Sequence, residues 1–183
     1  MIIGVVGSIA SGKDTVADYL EKKGFFSVSQ SDILRKIMKA EGMDISVPNM
    51  TEFGNKLRRT KGHSILAEKA FELIKEKDAV VTSIRQVGEI RYWREKPGFF
   101  LIRVDAPIKL RLKRLLERKR PGDIGSLLEL KEIEAKQADG KNGGMNMNAC
   151  YKMADYEVIN DGTLEDLYKE VDNVIARIEN KKN

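Results

Sequence analysis

The run GSIASGKDT at positions 7–15 carries residue types and a spacing that suit phosphate chemistry. Gly7 and Gly12 bracket Ser8, Ile9, Ala10 and Ser11, and Lys13 follows directly. A loop of this spacing between a strand and a helix turns successive main-chain N–H groups inward, where they converge on phosphate oxygens. The helix beginning at its end adds unpaired donors and the positive pole of its dipole. Lys13 then reaches the outer phosphates as a point charge. Asp14 stands where such loops usually carry Ser or Thr, and Thr15 supplies the hydroxyl one residue later. A carboxylate beside a polyphosphate is repelled unless a cation bridges the two. Two readings of Asp14 therefore stand. Either it holds Mg²⁺ through water beside Thr15, since Mg²⁺ keeps several of its waters, or it complements the dipole in the first helical turn.

Further polar residues fall where an α/β sheet would bring them to the same cleft, beyond the carboxyl ends of its strands. After the second apolar run comes SDILR, with Asp32 and Arg35 on one side and Ile33, Leu34, Ile37 and Met38 on the other. Asp32 either faces the cleft or caps this helix, a role Ser31 can share. After the third run comes Arg85, whose planar guanidinium suits a phosphate dianion better than an ammonium does. Of the adjacent Arg58 and Arg59 at most one, here Arg58, can face the acceptor pocket, because neighbours in a helix point apart. Glu89 is read either as a partner for an arginine or as a surface residue. Arg111, Arg114 and Arg118 recur on one helical stripe, roughly 110° around the axis from a core stripe of Ile108, Leu112, Leu115 and Leu116. Arg120 follows, before a hinge at Pro121-Gly122. Such a row repels itself unless an anion lies against it, and a transferring phosphoryl group is such an anion. The alternative is a solvated basic face relieved by Glu117, Glu132 and Glu134.

These residues need elements to hold them. Short apolar runs at 2–6, 25–29, 79–82, 99–104 and 156–159 predict strands, several of them apolar on both faces, as in a covered parallel sheet. Amphipathic segments separate them; the last repeats Leu164, Leu167, Val171, Val174, Ile175 and Ile178, with Asp161 or Thr163 as its cap. Strand–helix alternation predicts a three-layer α/β domain over 1–183. An acceptor-binding helical region spans about 31–77 and a lid about 111–148, the latter including a glycine- and asparagine-rich loop at 139–148.

Composition sets the bounds. A chain of 183 residues with 42% apolar and 33% charged residues suits one compact soluble domain. No apolar run reaches the roughly 20 residues that cross a bilayer, and MIIGVV lacks a basic leader, so no membrane association is expected. A single cysteine, Cys150, excludes an internal disulfide and fits a reducing cytoplasm, and with a single histidine, His63, it excludes the usual zinc sites. The net charge of +5 suits phosphorylated small molecules as well as nucleic acid. No RNA-binding aromatic signature or zinc finger accompanies it, so a nucleic-acid partner is not expected.

Together the P-loop with Thr15 second after the lysine, SDILR, SIR at 83–85, the arginine series 111–120 and ADYEVINDG at 154–162 resemble adenylate-kinase-related members of the nucleoside monophosphate kinase group, close to dephospho-coenzyme A kinase-like proteins. SGKDT also resembles the P-loop of phage deoxynucleoside monophosphate kinases. The resemblance implies a P-loop fold with a five-stranded parallel sheet of order 2-3-1-4-5, a small helical lid, and ATP with Mg²⁺ as cofactors. It implies that Arg35 and Arg85 hold the phosphate of the acceptor, that Asp32 stands where a general base works on a hydroxyl acceptor, and that Asn160 and Gly162 lie in the loop against the adenine. Ala10 and Ser11 depart from the glycines of many relatives. SIRQVGEI departs from the Leu-Leu-Phe-Glu run of dephospho-coenzyme A kinases, which favours an acceptor with a phosphate near Arg85.

Three functions are compatible with these residues. The first is transfer of the γ-phosphoryl group of ATP to a nucleoside or deoxynucleoside monophosphate, with Lys13, Arg85, Arg114 and Arg118 stabilising charge. The second is transfer to a hydroxyl, as in dephospho-coenzyme A, with Asp32 as base. The third is a nucleotide-dependent switch or binding module with slow ATPase activity. A monomer or a homodimer suits all three.

Overall fold

The computed structural model describes residues 1–75, 77–118, 124–140 and 144–181. Five strands, β1 (Ile2–Gly7), β2 (Phe26–Ser29), β3 (Ala79–Thr82), β4 (Phe99–Asp105) and β5 (Tyr156–Ile159), form one sheet of order β2-β3-β1-β4-β5. Every pairing is parallel, with Ile2 opposite both Ala79 and Phe99, Phe26 opposite Ala79, and Ile102 opposite Tyr156. The expected strands and their order are those observed, to within a residue at the ends.

Parallel strands need crossovers, and the amphipathic segments supply them. Helices α1 (Lys13–Lys22), α2 (Gln30–Ala40), α3 (Val47–Lys61), α4 (Ile65–Ile74) and α5 (Val87–Arg94) lie before β4; α6 (Ile108–Arg118), α7 (Leu127–Ala138), α8 (Met147–Lys152) and α9 (Leu164–Asn180) follow it. Side chains of β1 alternate between two cores. Ile2 and Val6 pack with Leu34, Leu66 and Trp93 on one face, while Ile3 and Val5 pack with Leu20, Val171 and Ile178 of α1 and α9 on the other. Both faces are thus covered, which explains the unbroken apolar runs. Thr163, not Asp161, caps α9, in a reciprocal box with Asp166. Among the described residues, no helix is long and apolar enough to cross a membrane.

A third, smaller core unites Leu115, Ile124 and Leu130 with Ile9 and Ala10, so helices α6 and α7 are seated on the glycine-rich loop itself. Here one expectation is corrected. Leu116 is 49% exposed, and the buried centre of this core is Leu115 with Ile124 and Leu130. Helix α2 also begins earlier than expected. Ser29 caps it by accepting from the Asp32 N–H at 3.3 Å, leaving the Asp32 and Ser31 side chains free for other partners.

Candidate active site

Parallel topology brings the carboxyl ends of all five strands to one edge, so residues 7–15, 29–35, 82–86, 103–106 and 158–162 gather there. The loop after β1 turns on two left-handed residues, Ala10 at φ 59° and Gly12 at φ 98°. Close approach fixes the glycines. A Cβ on Gly7 would overlap the Val104 carbonyl, and one on Gly12 would overlap the Asn160 side-chain amide. Alanine at Gly12 therefore meets both a strained φ and a clash. Gly12→Ala is expected to destabilise the fold by about 1–3 kcal/mol and to weaken nucleotide binding, measured by thermal unfolding and calorimetry.

Lys13 lies beneath this loop, with its Nζ 4.0 Å from Asp14 Oδ2. Burial lowers its pKa; Asp14 opposes that shift, while the charges of Arg85 and Arg118 add to it. The charges of Arg85 and Arg118 thus act on Lys13, a repulsion that an incoming polyanion relieves. Two buried polar atoms here have no partner, Ser11 Oγ within the loop and Arg114 Nη1 beside it. A nucleotide polyphosphate, which brings acceptor oxygens only, fits this set of amides, hydroxyl, ammonium and guanidinium. Within the loop, Asp14, with its side chain 79% exposed, is the carboxylate that could meet Mg²⁺, and the Thr15 hydroxyl follows it in the first turn of α1. Among the described residues no group of three or more His, Cys, Asp or Glu could form a cage for a metal. That suits Mg²⁺, which is commonly held by one or two carboxylates together with the phosphates it accompanies.

Beside Lys13 opens a cleft of about 390 Å³ lined by Asp14, Ser31, Asp32, Arg35, Ser83 and Arg85 among others. A smaller cavity of about 120 Å³ lies against it and shares Lys13, Ser83 and Arg85. Asp32 and Arg35 are paired to each other, one helical turn apart, and both line this cleft with about half of each side chain exposed. Among the described residues the Arg85 side chain meets only the Met145 thioether, at 3.8 Å. Burial lowers its pKa, as do the neighbouring Arg58 and Arg35.

Arg58 departs from its expected place. It lines neither cavity and is buried against Glu89, with Nε and Nη2 donating to Glu89 Oε1 at 3.3 and 3.2 Å. The other Glu89 oxygen accepts from the Arg85 N–H at 2.7 Å and the Gln86 N–H at 3.2 Å, and Gln30 donates to it at 3.1 Å. Glu89 is thus neither surface nor incidental. It ties helix α3 to the turn that presents Arg85. Its side chain is fully buried, and burial raises its pKa while Arg58 pulls it down.

The arginine stripe of α6 also divides. Arg111 is corrected from a phosphate-facing lid residue to a buried anchor. It donates to the Ala106 and Ile9 carbonyls at 3.0 and 3.1 Å and forks onto Glu134 at 2.5 and 3.3 Å. A guanidinium with 7% exposure needs such partners, and Glu134, which also accepts from the Ile9 N–H at 3.3 Å, supplies them. Arg114 Nη2 donates to the Asn160 carbonyl and Oδ1 at 3.0 and 3.1 Å. Asn160 in turn donates to the Ser11 carbonyl at 2.8 Å, so the residue expected against the adenine is instead buried as a brace of the loop. Gly162 lies beyond it, at the start of α9. Arg118 is near enough for Lys13 to feel its charge. Arg120 and the hinge at Pro121-Gly122 lie outside the described residues.

Two residues were not anticipated. Asp105, ending β4, accepts from Ser8 Oγ at 2.9 Å and holds the P-loop to the neighbouring strand; a carboxylate at a strand's carboxyl end is the signal that marks it. Ser83 follows β3 at φ 62° with its hydroxyl in the cleft.

Fold and site together define a P-loop domain of the kinase-like type. The family profile described as "AAA domain" matches residues 3–138, and the chain belongs to that family of P-loop domains. Among curated proteins it is similar to a UPF0200 protein of Methanoregula boonei, 32% identical over 182 residues and covering 97% of each chain. A UPF0200 protein of Thermococcus gammatolerans is 30% identical over 186 residues, covering 97% of this chain and 95% of its own. The chain is a member of the UPF0200 proteins. Its fold is shared with shikimate kinase from Acinetobacter baumannii (TM-score 0.57, 17% identity, 96% and 93% of the two chains). It is also shared with dephospho-CoA kinase from Campylobacter jejuni (TM-score 0.56, 22% identity, 97% and 96%).

Proposed function

We propose that this chain transfers the γ-phosphoryl group of ATP to a small-molecule acceptor seated in the cleft between Arg35 and Arg85. The observation that carries the reading is the position of Lys13. It ends the phosphate loop and at the same time lines the cleft with Arg85, so one ammonium spans donor and acceptor. Ser8, Ile9, Ala10, Ser11 and Gly12 would wrap the polyphosphate with main-chain donors. Arg114, with an unpartnered Nη1, and Arg118 would complement charge on the transferring group. Mg²⁺, when bound, neutralises charge on the phosphate oxygens, and Asp14 with Thr15 would hold it. The lid then comprises about 111–148 and the acceptor region about 31–77, in one P-loop domain. The fold shared with shikimate and dephospho-CoA kinases supports small-molecule phosphorylation as the class of reaction.

A phosphate acceptor, as in a nucleoside monophosphate, requires no base, whereas a hydroxyl acceptor does. The placement of Asp32 in the cleft favours keeping the second reading. ATP consumption measured across phosphate-bearing and hydroxyl-bearing acceptors tests the proposal; no stimulation by any acceptor would count against it. For Asp14, the Asn variant is expected to raise the Mg²⁺ concentration for half-maximal turnover about tenfold, the order of one lost charge contact. An unchanged Mg²⁺ titration removes Asp14 from the metal's surroundings.

A further inference from the structure

We infer that the acceptor is a small polyhydroxylated anion rather than a nucleotide, and that Ser83 is one of the residues that selects it; this rests on the kinase reading above. Among the described residues the cleft is lined by five hydroxyl side chains, Ser27, Ser29, Ser31, Thr82 and Ser83, with Ala17 as the sole apolar one. A nucleobase is recognised against apolar or aromatic walls with a few polar groups. Among the described residues this cleft offers Ala17 and no ring, while the aliphatic and thioether side chains of Ile84, Met145 and Met147 line the smaller cavity beside it. The nearby rings are committed elsewhere, Trp93 stacked on Phe99 in one core and Tyr19 on Tyr168 across the other face of the sheet.

Three of the hydroxyls converge. Ser31 Oγ lies 3.0 Å from both Ser29 Oγ and Ser83 Oγ, and Ser29 Oγ lies 3.5 Å from Ser83 Oγ. Hydroxyls both donate and accept, so such a cluster can exchange its internal bonds for those of a polyol. Ser83 stands in the cluster at φ 62°, a conformation that disfavours any residue with a Cβ and recurs where the chain places a working side chain. Charge narrows the class further. Three carboxylates, Asp14, Asp18 and Asp32, balance Lys13, Arg35 and Arg85 in the lining. Arg35 is already paired with Asp32, and Lys13 is shared with the phosphate loop. One guanidinium, that of Arg85, remains for one anionic group on the acceptor.

The step then balances as follows. An acceptor hydroxyl oxygen bonds to the γ-phosphorus of ATP, and the bond from that phosphorus to the β,γ-bridging oxygen breaks. Its electron pair leaves with ADP, and the hydroxyl proton passes to the Asp32 carboxylate.

The test uses the full chain with Mg²⁺ and ATP, and measures ADP release and acceptor binding by calorimetry. D-ribonate and D-ribose 5-phosphate supply the carboxylate and phosphate forms of one polyol, and AMP and dTMP supply nucleotides. Either polyol anion is expected to be turned over at least tenfold more efficiently than both nucleotides. Ser83→Ala is expected to raise the acceptor KM about tenfold, the size of one lost hydrogen bond, with the KM for ATP unchanged. Ser83→Gly, which accepts the positive φ without strain, keeps the turn folded and is expected to show the same defect. Faster turnover of AMP or dTMP, no turnover of either polyol anion while ATP binds, or an unchanged acceptor KM in both Ser83 variants overturns the inference alone. Failure of the wild-type chain to bind ATP in calorimetry overturns the kinase reading and this one together.

Discussion

Lys13→Ala is expected to lower phosphoryl transfer by at least about 10²–10³-fold, the loss typical of one electrostatic donor aimed at developing charge, while the fold persists. The reason is geometric. Lys13 opens α1 and lines both cavities together with Arg85, so its ammonium lies between the proposed donor and acceptor sites. Its removal also lightens the repulsion among Lys13, Arg85 and Arg118, so thermal stability is expected to stay level or rise. An activity loss accompanied by a large fall in Tm would mean that the lysine is structural. The pH dependence follows with its sign. Burial lowers the Lys13 pKa, and in the proposed reaction the charged form binds phosphate, so ATP affinity is expected to fall as pH rises through a value below the ordinary lysine range. Calorimetric titration of ATP between pH 7 and pH 10 measures it, and Lys13→Ala removes that dependence.

The second large effect belongs to Glu89. Glu89→Ala is expected to destabilise the chain by about 3–5 kcal/mol, because it leaves a buried guanidinium unpaired. That corresponds to a fall in Tm of roughly 6–20 °C at this chain length. Arg58 is 6% exposed and its carboxylate partner 0%. The same change orphans the N–H groups of Arg85 and Gln86, so turnover should fall even where the variant is folded. Arg58→Met gives the complementary result. Burial already raises the Glu89 pKa against the pull of Arg58, and removing Arg58 raises it further. A carboxyl whose folded pKa exceeds its unfolded value contributes stability below the unfolded pKa and loses it as pH rises through the folded one. Arg58→Met is therefore expected to be more stable at pH 5 than at pH 8, relative to the parent chain. Equal losses at both values would show that Glu89 is not the titrating partner.

Glu89 also illustrates how far the amino-acid order could be read. VGEI offered two readings for it, an arginine's partner or a surface residue, and nothing within a few positions decides between them. Its partners come from Arg58, 31 residues away, and from the turn that β3 delivers. The arginines of α6 teach the same lesson. Arg111 and Arg114 share a residue type and a helical stripe, yet one is enclosed by Glu134 and the other rests on Asn160.

What the sequence alone determined are features encoded over a few neighbours. Apolar runs specified the five strands, 3.6-residue periodicity specified α9, and the Gly-x-x-x-x-Gly-Lys spacing specified a loop whose left-handed Gly12 precedes α1. Tertiary structure alone decided which charged side chains meet each other, which remain open to a cleft, and which hydroxyls gather there. Backbone conformation answers to local sterics and periodicity. The partner of a buried charge is set by desolvation, which depends on segments that only the folded sheet brings side by side.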